Sequence, residues 1–364
     1  MPKEQSFLYC CPRCFGDPGL SEIIKAHADQ TSHCPNCDSN EVEVAEIKHV
    51  KEPFRLVADA YSSTSESSSS LLECFKNDWN LFGNNALSEE KQSGLLQEIL
   101  GDRKLSGSYE PLLGDFGQDE NGDYQRFRNE IITQNRWFID NTVLVDDSQE
   151  FLSSLIYVLK PGEVLYRARI QDNSDTPFLT AEMGAPPPEL AVAGRSNPAG
   201  ISYFYLASDI DTALSEVRSQ AGHYVSVGKF EFENLKVVDF SDMRDTYSPF
   251  LLDETAKVRA HAEKLALFEA VAVEMSQPVT GRQELEYLPT QYVCEMLKSF
   301  GFEGVRYRSS QGEGRNFVLF GRRDSNAVSV ETMKINKLRI EKEKHPKNNI
   351  STSGKSLGTS SFPL

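Results

Sequence analysis

The sequence holds no run approaching the roughly 18 consecutive apolar residues of a membrane-spanning helix, so no such span is expected. Residues 1–7, MPKEQSF, lack the apolar core of a secretory signal, and a cytoplasmic location is the expectation. Positive charge is scarce. Lys and Arg number 38 against 54 Asp and Glu, a formal net charge of −16. Such a surface repels phosphate, which disfavours broad nucleic-acid binding while leaving room for a local cationic pocket. Histidine is rarer still: six in all, and none between residues 50 and 150. That gap excludes from the middle of the chain the RNA-cleaving chemistry that pairs an Arg with a His a few residues later. No Gly-x-Ser-x-Gly elbow occurs, and His223 and His261 have no triad context, so Ser-His-Asp hydrolysis is disfavoured.

What the chain does have is cysteine at one end. Five of its seven cysteines precede residue 40. Cys11-x2-Cys14 and Cys34-x2-Cys37 form two knuckles separated by 19 residues, with Pro12 and Pro35 at the same place in each. Thiolates at this spacing can wrap one tetrahedral Zn²⁺, and the metal supplies folding energy that so short a unit lacks. Cys10 and His33 adjoin the knuckles and could exchange into the ligand set. A redox pair is the weaker reading, because two knuckles are present without a surrounding βαβ pattern. Few basic residues flank them, so a structural cap or protein-docking module is favoured over nucleic-acid contact.

Hydrophobic periodicity divides the remainder. EVEVAEI (41–47) alternates as a strand. Residues 50–150 read as mostly helical. After the low-complexity SSTSESSSS (62–70), Leu72, Phe75, Trp79 and Phe82 share one helix face, and Ser88 can cap a second helix carrying Leu95, Leu96 and Ile99. Trp79 and Trp137 read as core residues. DENGD (119–123) has the wrong glycine offset for a calcium loop and reads as a turn. From about 150, EVLYRARI, ISYFYLA, YVSVGKFEF, LKVVDF, EGVRYRS and NFVLF read as strands. Helical stretches at 211–220, 254–276 and 290–301 lie among them, which makes this half α+β. GAPPPEL (184–190) excludes a strand or helix interior. The tail from Met333, with seven Lys and Arg against two Glu, is expected to be disordered.

Three polar features mark the second half. YRAR (166–169) puts Arg167 and Arg169 on one strand face, either as a clamp for phosphate or pyrophosphate or as a solvated surface pair. GRSNPAGISYFYLAS (194–208) is a turn before an aromatic strand, where Arg195 and Asn197 could hold a ribose or phosphate. Asp209 or Asp211 can cap the following helix, and Glu216 sits at the margin of its buried face or in solvent. VRYRSSQGEGRNFVLF (305–320) is strand, Gly-rich loop, strand, with Ser309 and Ser310 at the loop entry; an ordinary hairpin would look the same.

LYRAR, GRSNPAGISYFYLA, ALSEV and GVRYRSSQGEGRNFVLF, in this order, resemble the RES-domain family over roughly residues 152–320, and the ribbon plus helical segment resembles the N-terminal region of its long members. The resemblance implies a zinc ribbon (1–48), a helical RES-associated unit (49–150), a RES catalytic domain (151–332) with an ADP-ribosyltransferase-like mixed sheet, and a tail (333–364). It implies a toxin-like enzyme that consumes NAD⁺, by hydrolysis, phosphorolysis or ADP-ribosyl transfer, and a partner that is a protein target or an antitoxin-like regulator. By motif position the family Arg, Glu and Ser fall on Arg167, Glu216 and Ser309. Arg195, Tyr205 and Asn316 match further pocket positions, and Asn197 lies within the same motif. Cys11, Cys14, Cys34 and Cys37 are the metal ligands. Arg169 and Ser310 are neighbours onto which the assignment could slip. The zinc is expected to stand apart from the chemistry.

Overall fold

The computed structural model describes residues 8–28, 30–65, 69–83, 86–101, 105, 107–113, 122–139, 148–277, 283–321 and 326–337. At the N-terminus, strands β1 (Tyr9–Cys10), β2 (Gln30–Ser32) and β3 (Val42–Glu46) form an antiparallel sheet in the order β1-β3-β2. Helices α1 (Pro12–Phe15) and α2 (Pro18–Ala26) lie between β1 and β2. Each opens with a proline, whose fixed φ and missing N–H suit a first helical turn. Asp17 caps α2 by accepting from the Leu20 N–H at 2.7 Å.

The middle of the chain is helical, as its periodicity predicts: α3 (Lys48–Ala58), α4 (Leu71–Trp79), α5 (Glu89–Leu100), α6 (Asp123–Thr133) and α7 (Ser148–Ser153). Ser70 and Glu73 close a capping box on α4, and Ser88 caps α5. Phe75 and Trp79 are buried on α4, but the helix stops at Asn80, whose φ of 50° is left-handed. Phe82 therefore reaches the core from a turn and not from the predicted helix face. Trp137 departs from expectation. It is 83% exposed, in the irregular stretch after α6, where no element among the described residues covers it. The DENGD turn falls mostly outside the described residues.

An eight-stranded mixed sheet organises the second half, in the order β11-β7-β5-β6-β10-β9-β8-β4. Its strands are β4 (Ile156–Val158), β5 (Val164–Ile170), β6 (Tyr203–Ala207), β7 (Tyr224–Glu231), β8 (Lys236–Asp239), β9 (Gly304–Arg308), β10 (Arg315–Phe320) and β11 (Ser329–Lys334). All pairs are antiparallel except β8 with β9. Helices α8 (Ile210–Glu216), α9 (Met243–Thr246), α10 (Thr255–Ser276), α11 (Gln283–Glu286) and α12 (Leu288–Ser299) complete it. The six predicted strands are all present. The Pro-rich loop makes only a single 3-10 turn, Pro188–Leu190. β11 carries the sheet through Lys334, and Ile335 is buried behind it, so ordered chain continues past the expected start of the tail at 333. The edge strand β7 offered an unpaired row of backbone groups, and β11 satisfies them despite its polar sequence. Residues 338–364 lie outside the described set.

The core does not divide at residue 48 or at 150. One continuous apolar cluster runs from Cys14, Phe15 and Leu20, through Phe54, Phe75 and Trp79, to Phe250, Phe268 and Leu297, and reaches Val305 and Val318 in the large sheet. The Phe54 and Phe250 rings stand 4.7 Å apart between centroids. Gly19 is pressed so closely on the second half that an added Cβ would lie 2.3 Å from Ser248 Oγ. The other sheet face buries Leu165, Phe204, Phe230 and Leu319 around Met183.

Candidate functional site

The sheet has a weak seam. β5 pairs with β7 along its whole length, Val164 through Ile170. With β6 it meets at one pair, Tyr166 opposite Ala207. A cavity of ≈ 350 Å³ opens there, bounded by β5, β6, the end of α8 and the loop between β9 and β10. That volume falls at the small end of the range for ligand sites.

Helix α8 brings Glu216 to this seam. Asp209 caps the helix, accepting from the Thr212 N–H at 2.8 Å. Burial would raise the Asp209 carboxyl, but donors from Thr212 and Ser208 hold it below its ordinary value. Ala213 and Val217 pack on Tyr166, Ala168 and Ala207, which fixes the rotation of the helix and turns Glu216 into the cavity. Glu216 Oε1 accepts two hydrogen bonds, from Ser309 Oγ at 2.6 Å and from Asn316 Nδ2 at 2.7 Å. Two donors from the serine motif thus converge on one oxygen of the helix glutamate.

The loop carrying Ser309 is closed by the Ser309 N–H donating to Gly314 O at 3.1 Å. The Gln311 N–H donates to Ser309 Oγ at 3.0 Å, so the hydroxyl is oriented from behind. Gly314 passes over the start of α8 so tightly that an added Cβ would stand 2.0 Å from Asp209 Oδ2. Outside the loop, Asp242 clasps both Arg308 and Arg315, the residues at its two feet, the latter at 2.9 Å.

Arg167 lines the cavity from β5. Its guanidinium donates to the carbonyls of Gly184 and Met183. Burial, with the Arg169 charge adding to it, brings it down to about 10, still a cation at neutral pH. Arg169 shares that strand face, as the alternation predicts, but does not line the cavity. It donates to Glu182 O at 2.6 Å and stacks 3.8 Å from the Phe178 ring centroid. Arg195 enters from the opposite side, donating to Glu274 O. Among the described residues no carboxylate pairs with Arg167 or Arg195. Arg218, at a left-handed φ of 50°, also lines the wall. Three arginines against one glutamate make a cationic pocket inside an acidic protein.

Tyr205 and Asn316 line the cavity, and Ser310 joins them from the serine pair. Asn197 does not. It is 4% exposed, and its amide is spent on the loop: Nδ2 donates to Val192 O, Pro198 O and Ile201 O, while Oδ1 accepts from Tyr205 OH at 2.6 Å. It shapes the turn and holds Tyr205, whose phenol is pushed up by burial. The residue reading missed Tyr166, Tyr287, Tyr307 and Arg218. The first and third flank the arginine and serine motifs on their strands. Tyr287 sits where α12 begins, with no local signal.

In the ribbon, the sulfurs of Cys11, Cys14, Cys34 and Cys37 all lie within 4.8 Å of one another. The separations are 3.8 Å for Cys11–Cys14, 3.4 Å for Cys11–Cys37 and 3.5 Å for Cys14–Cys34. A tetrahedral ion with metal–sulfur bonds of about 2.3 Å needs sulfur–sulfur edges of about 3.8 Å, so the cluster fits such an ion. Cys10 turns away to Ala45 O and His33 lies against Asp38, so neither joins the four clustered sulfurs. Among the described residues, no helix is long and apolar enough to cross a membrane.

The RES domain family matches residues 164–341, a stretch that holds every one of the pocket motifs and β11 as well. No curated protein matches. Among solved structures, the M. tuberculosis MbcT-MbcA toxin-antitoxin complex is similar to this chain at 12% identity, covering 52% of this chain and 94% of that one with a TM-score of 0.32. Residues 164–341 are a RES domain.

Proposed function

We propose that the chain is an NAD⁺-consuming enzyme that breaks the bond between nicotinamide and ribose in the β5/β6 cavity. One observation carries this reading: Glu216 Oε1 is held by Ser309 and Asn316 together, beside Arg167 and Arg195, with which no carboxylate pairs among the described residues. Cleavage at the anomeric carbon passes through an oxocarbenium-like state, and a fixed carboxylate facing that carbon stabilises the developing positive charge. Two donors on Oε1 fix the plane of the carboxylate and leave Oε2 for the sugar. They also spare the carboxylate from reorienting during reaction, where preorganisation has its value.

Arg167 and Arg195 hold the pyrophosphate, one from each wall. Their carbonyl partners fix the guanidiniums without cancelling their charge. Tyr205 presents its ring to the nicotinamide or ribose. Nicotinamide leaves as a neutral base, so no general acid is needed, in keeping with a pocket lined by no histidine among the described residues.

The acceptor is water, phosphate or a protein side chain, and a protein target or antitoxin-like regulator is the expected partner of a family that includes toxins. The four cysteines of the ribbon hold a structural Zn²⁺ and contribute nothing to the cavity lining. Thiolates of this kind suit the reducing cytoplasm.

The test is nicotinamide release from NAD⁺ by wild type beside Glu216→Ala, with and without phosphate. Release by wild type and its loss in the variant is the expected result. A requirement for phosphate identifies phosphorolysis, and label from NAD⁺ on protein identifies transfer. NAD⁺ binding without release by any acceptor would replace the enzyme with a sensor.

A further inference from the structure

The residues lining the cavity all lie within the RES domain, but the elements that carry two of them are tied to the segment before residue 150. Helix α6, from the segment before residue 150, buries Tyr124, Phe127 and Ile131, with Phe127 5.7 Å from the Tyr292 ring of α12. One turn from Tyr124, Arg128 reaches between two elements of the RES domain. Its Nε donates to Glu274 Oε1 at 2.7 Å, and its other arm donates to Glu286. The three side chains are largely shielded from solvent, at 22%, 23% and 38% exposure, so the contact is more than a loose surface pair.

Both partners lead to the cavity. Glu274 stands in the last turn of α10, where backbone carbonyls lack a helical partner, and its carbonyl accepts from Arg195. Glu286 immediately precedes Tyr287, which lines the cavity and begins α12. That helix holds the Arg195 loop from the other side: Thr290 Oγ1 donates to Arg195 O at 2.6 Å and Gln291 Nε2 to Gly194 O at 2.7 Å. Arg195 is thus gripped at its head by the end of α10 and at its backbone by the start of α12. Arg128 ties those two ends together.

We propose that Arg128 is a positioning residue for the ligand's phosphates, acting through Glu274 and Glu286 on Arg195 and Tyr287, so that the N-terminal segment completes the pocket. This rests on the reading of the cavity as a pyrophosphate site. Arg128 does not line the cavity and touches no ligand there. A planar guanidinium can bridge two carboxylates in a fixed fork, which a lysine ammonium cannot reproduce.

The experiment uses the full chain and measures ADP-ribose binding and the kinetics of nicotinamide release. Wild type is compared with Arg128→Ala, Arg128→Lys, Arg195→Ala, the Arg128→Ala/Arg195→Ala double variant, and Arg126→Ala as a control on the same helix. The expectation is a Kd for ADP-ribose and a KM for NAD⁺ raised about tenfold in Arg128→Ala, the cost of one misplaced charge-assisted contact, with kcat within about twofold. Arg128→Lys recovers part of this, and the double variant is little worse than Arg195→Ala. Unchanged binding in Arg128→Ala, or effects that simply add in the double variant, would overturn the proposal. If Arg128→Ala fails to fold by thermal unfolding, Arg128→Lys and Glu286→Gln carry the same comparison. Wild type that neither binds ADP-ribose nor releases nicotinamide would overturn the pyrophosphate reading itself, and this proposal with it.

Discussion

Ser309 donates its hydroxyl to Glu216 at 2.6 Å, across 93 residues of chain. The serine is oriented by the Gln311 N–H and the glutamate is shared with Asn316, so the pair is one arrangement and not two independent side chains. Replacing Glu216 by Gln keeps the shape but removes the charge that meets the oxocarbenium. Nicotinamide release is expected to fall by about 10²–10³ in kcat. Ser309→Ala leaves Asn316 to hold the carboxylate and is expected to cost about tenfold. Because both act on one oxygen, the double variant should be no slower than Glu216→Gln. A double variant whose losses multiply would show that Ser309 acts on the substrate by itself.

Much of this site was legible before folding was known, because each motif announces itself locally. The Arg167 strand alternates, Asp209 caps a short helix two turns ahead of Glu216, and the Gly-rich loop follows Ser309. The cysteine knuckles were legible for the same reason: spacing alone brings four thiols to one point. What escaped depends on the tertiary arrangement. Asn197 has the residue type of a ligand contact, yet three carbonyls and a phenol claim its amide once the loop closes. Trp137 has the residue type of a core position, yet no element among the described residues covers it. β4 is three residues long, and β11 is an edge strand with one apolar residue on each face, Val330 and Met333, so neither shows the alternation of a half-buried strand. The division into ribbon, helical unit and RES domain follows composition, whereas the packing unites them through Phe54, Phe250 and Arg128.

Gly314→Ala tests how closely the loop is fitted to α8. The new methyl would meet Asp209 Oδ2 at 2.0 Å and Thr212 Oγ1 at 2.3 Å, the groups that cap the helix carrying Glu216. Relief requires the loop or the cap to move. A loss of about 1–3 kcal/mol in denaturant unfolding is expected, together with slower nicotinamide release. Wild-type stability and rate in this variant would show that the loop is held elsewhere.

Asp17 sets a pH dependence at the junction of the two halves. It is 3% exposed and bonded to the Leu20 N–H and the Ser248 hydroxyl, and burial raises its carboxyl to about 6 despite these donors. In the unfolded chain it titrates near 3.9. Between those values the folded state binds the extra proton. Stability associated with this group is therefore full below about pH 4 and is lost as pH rises through about 6, by about 2–3 kcal/mol. Asp17→Asn should flatten that part of the pH profile of unfolding. An unchanged slope would place the titrating group elsewhere.

Metal removal should reach far beyond the ribbon. Cys14 packs in the same core as Phe15, Leu20, Phe54 and Phe250, so loosening the knuckles exposes apolar surface shared with the RES domain. Each phenyl ring returned to water costs about 1.5–3 kcal/mol. A chelator, or Cys34→Ser, is therefore expected to lower the melting temperature of the whole chain in a single transition, with one equivalent of zinc released per chain. Cobalt substitution should give thiolate charge-transfer bands, which a cluster without metal would not. Activity should fall only where the fold falls, because no ribbon residue lines the cavity. Inactivation by chelator at temperatures where the chain stays folded would mean that the metal bears on the chemistry directly.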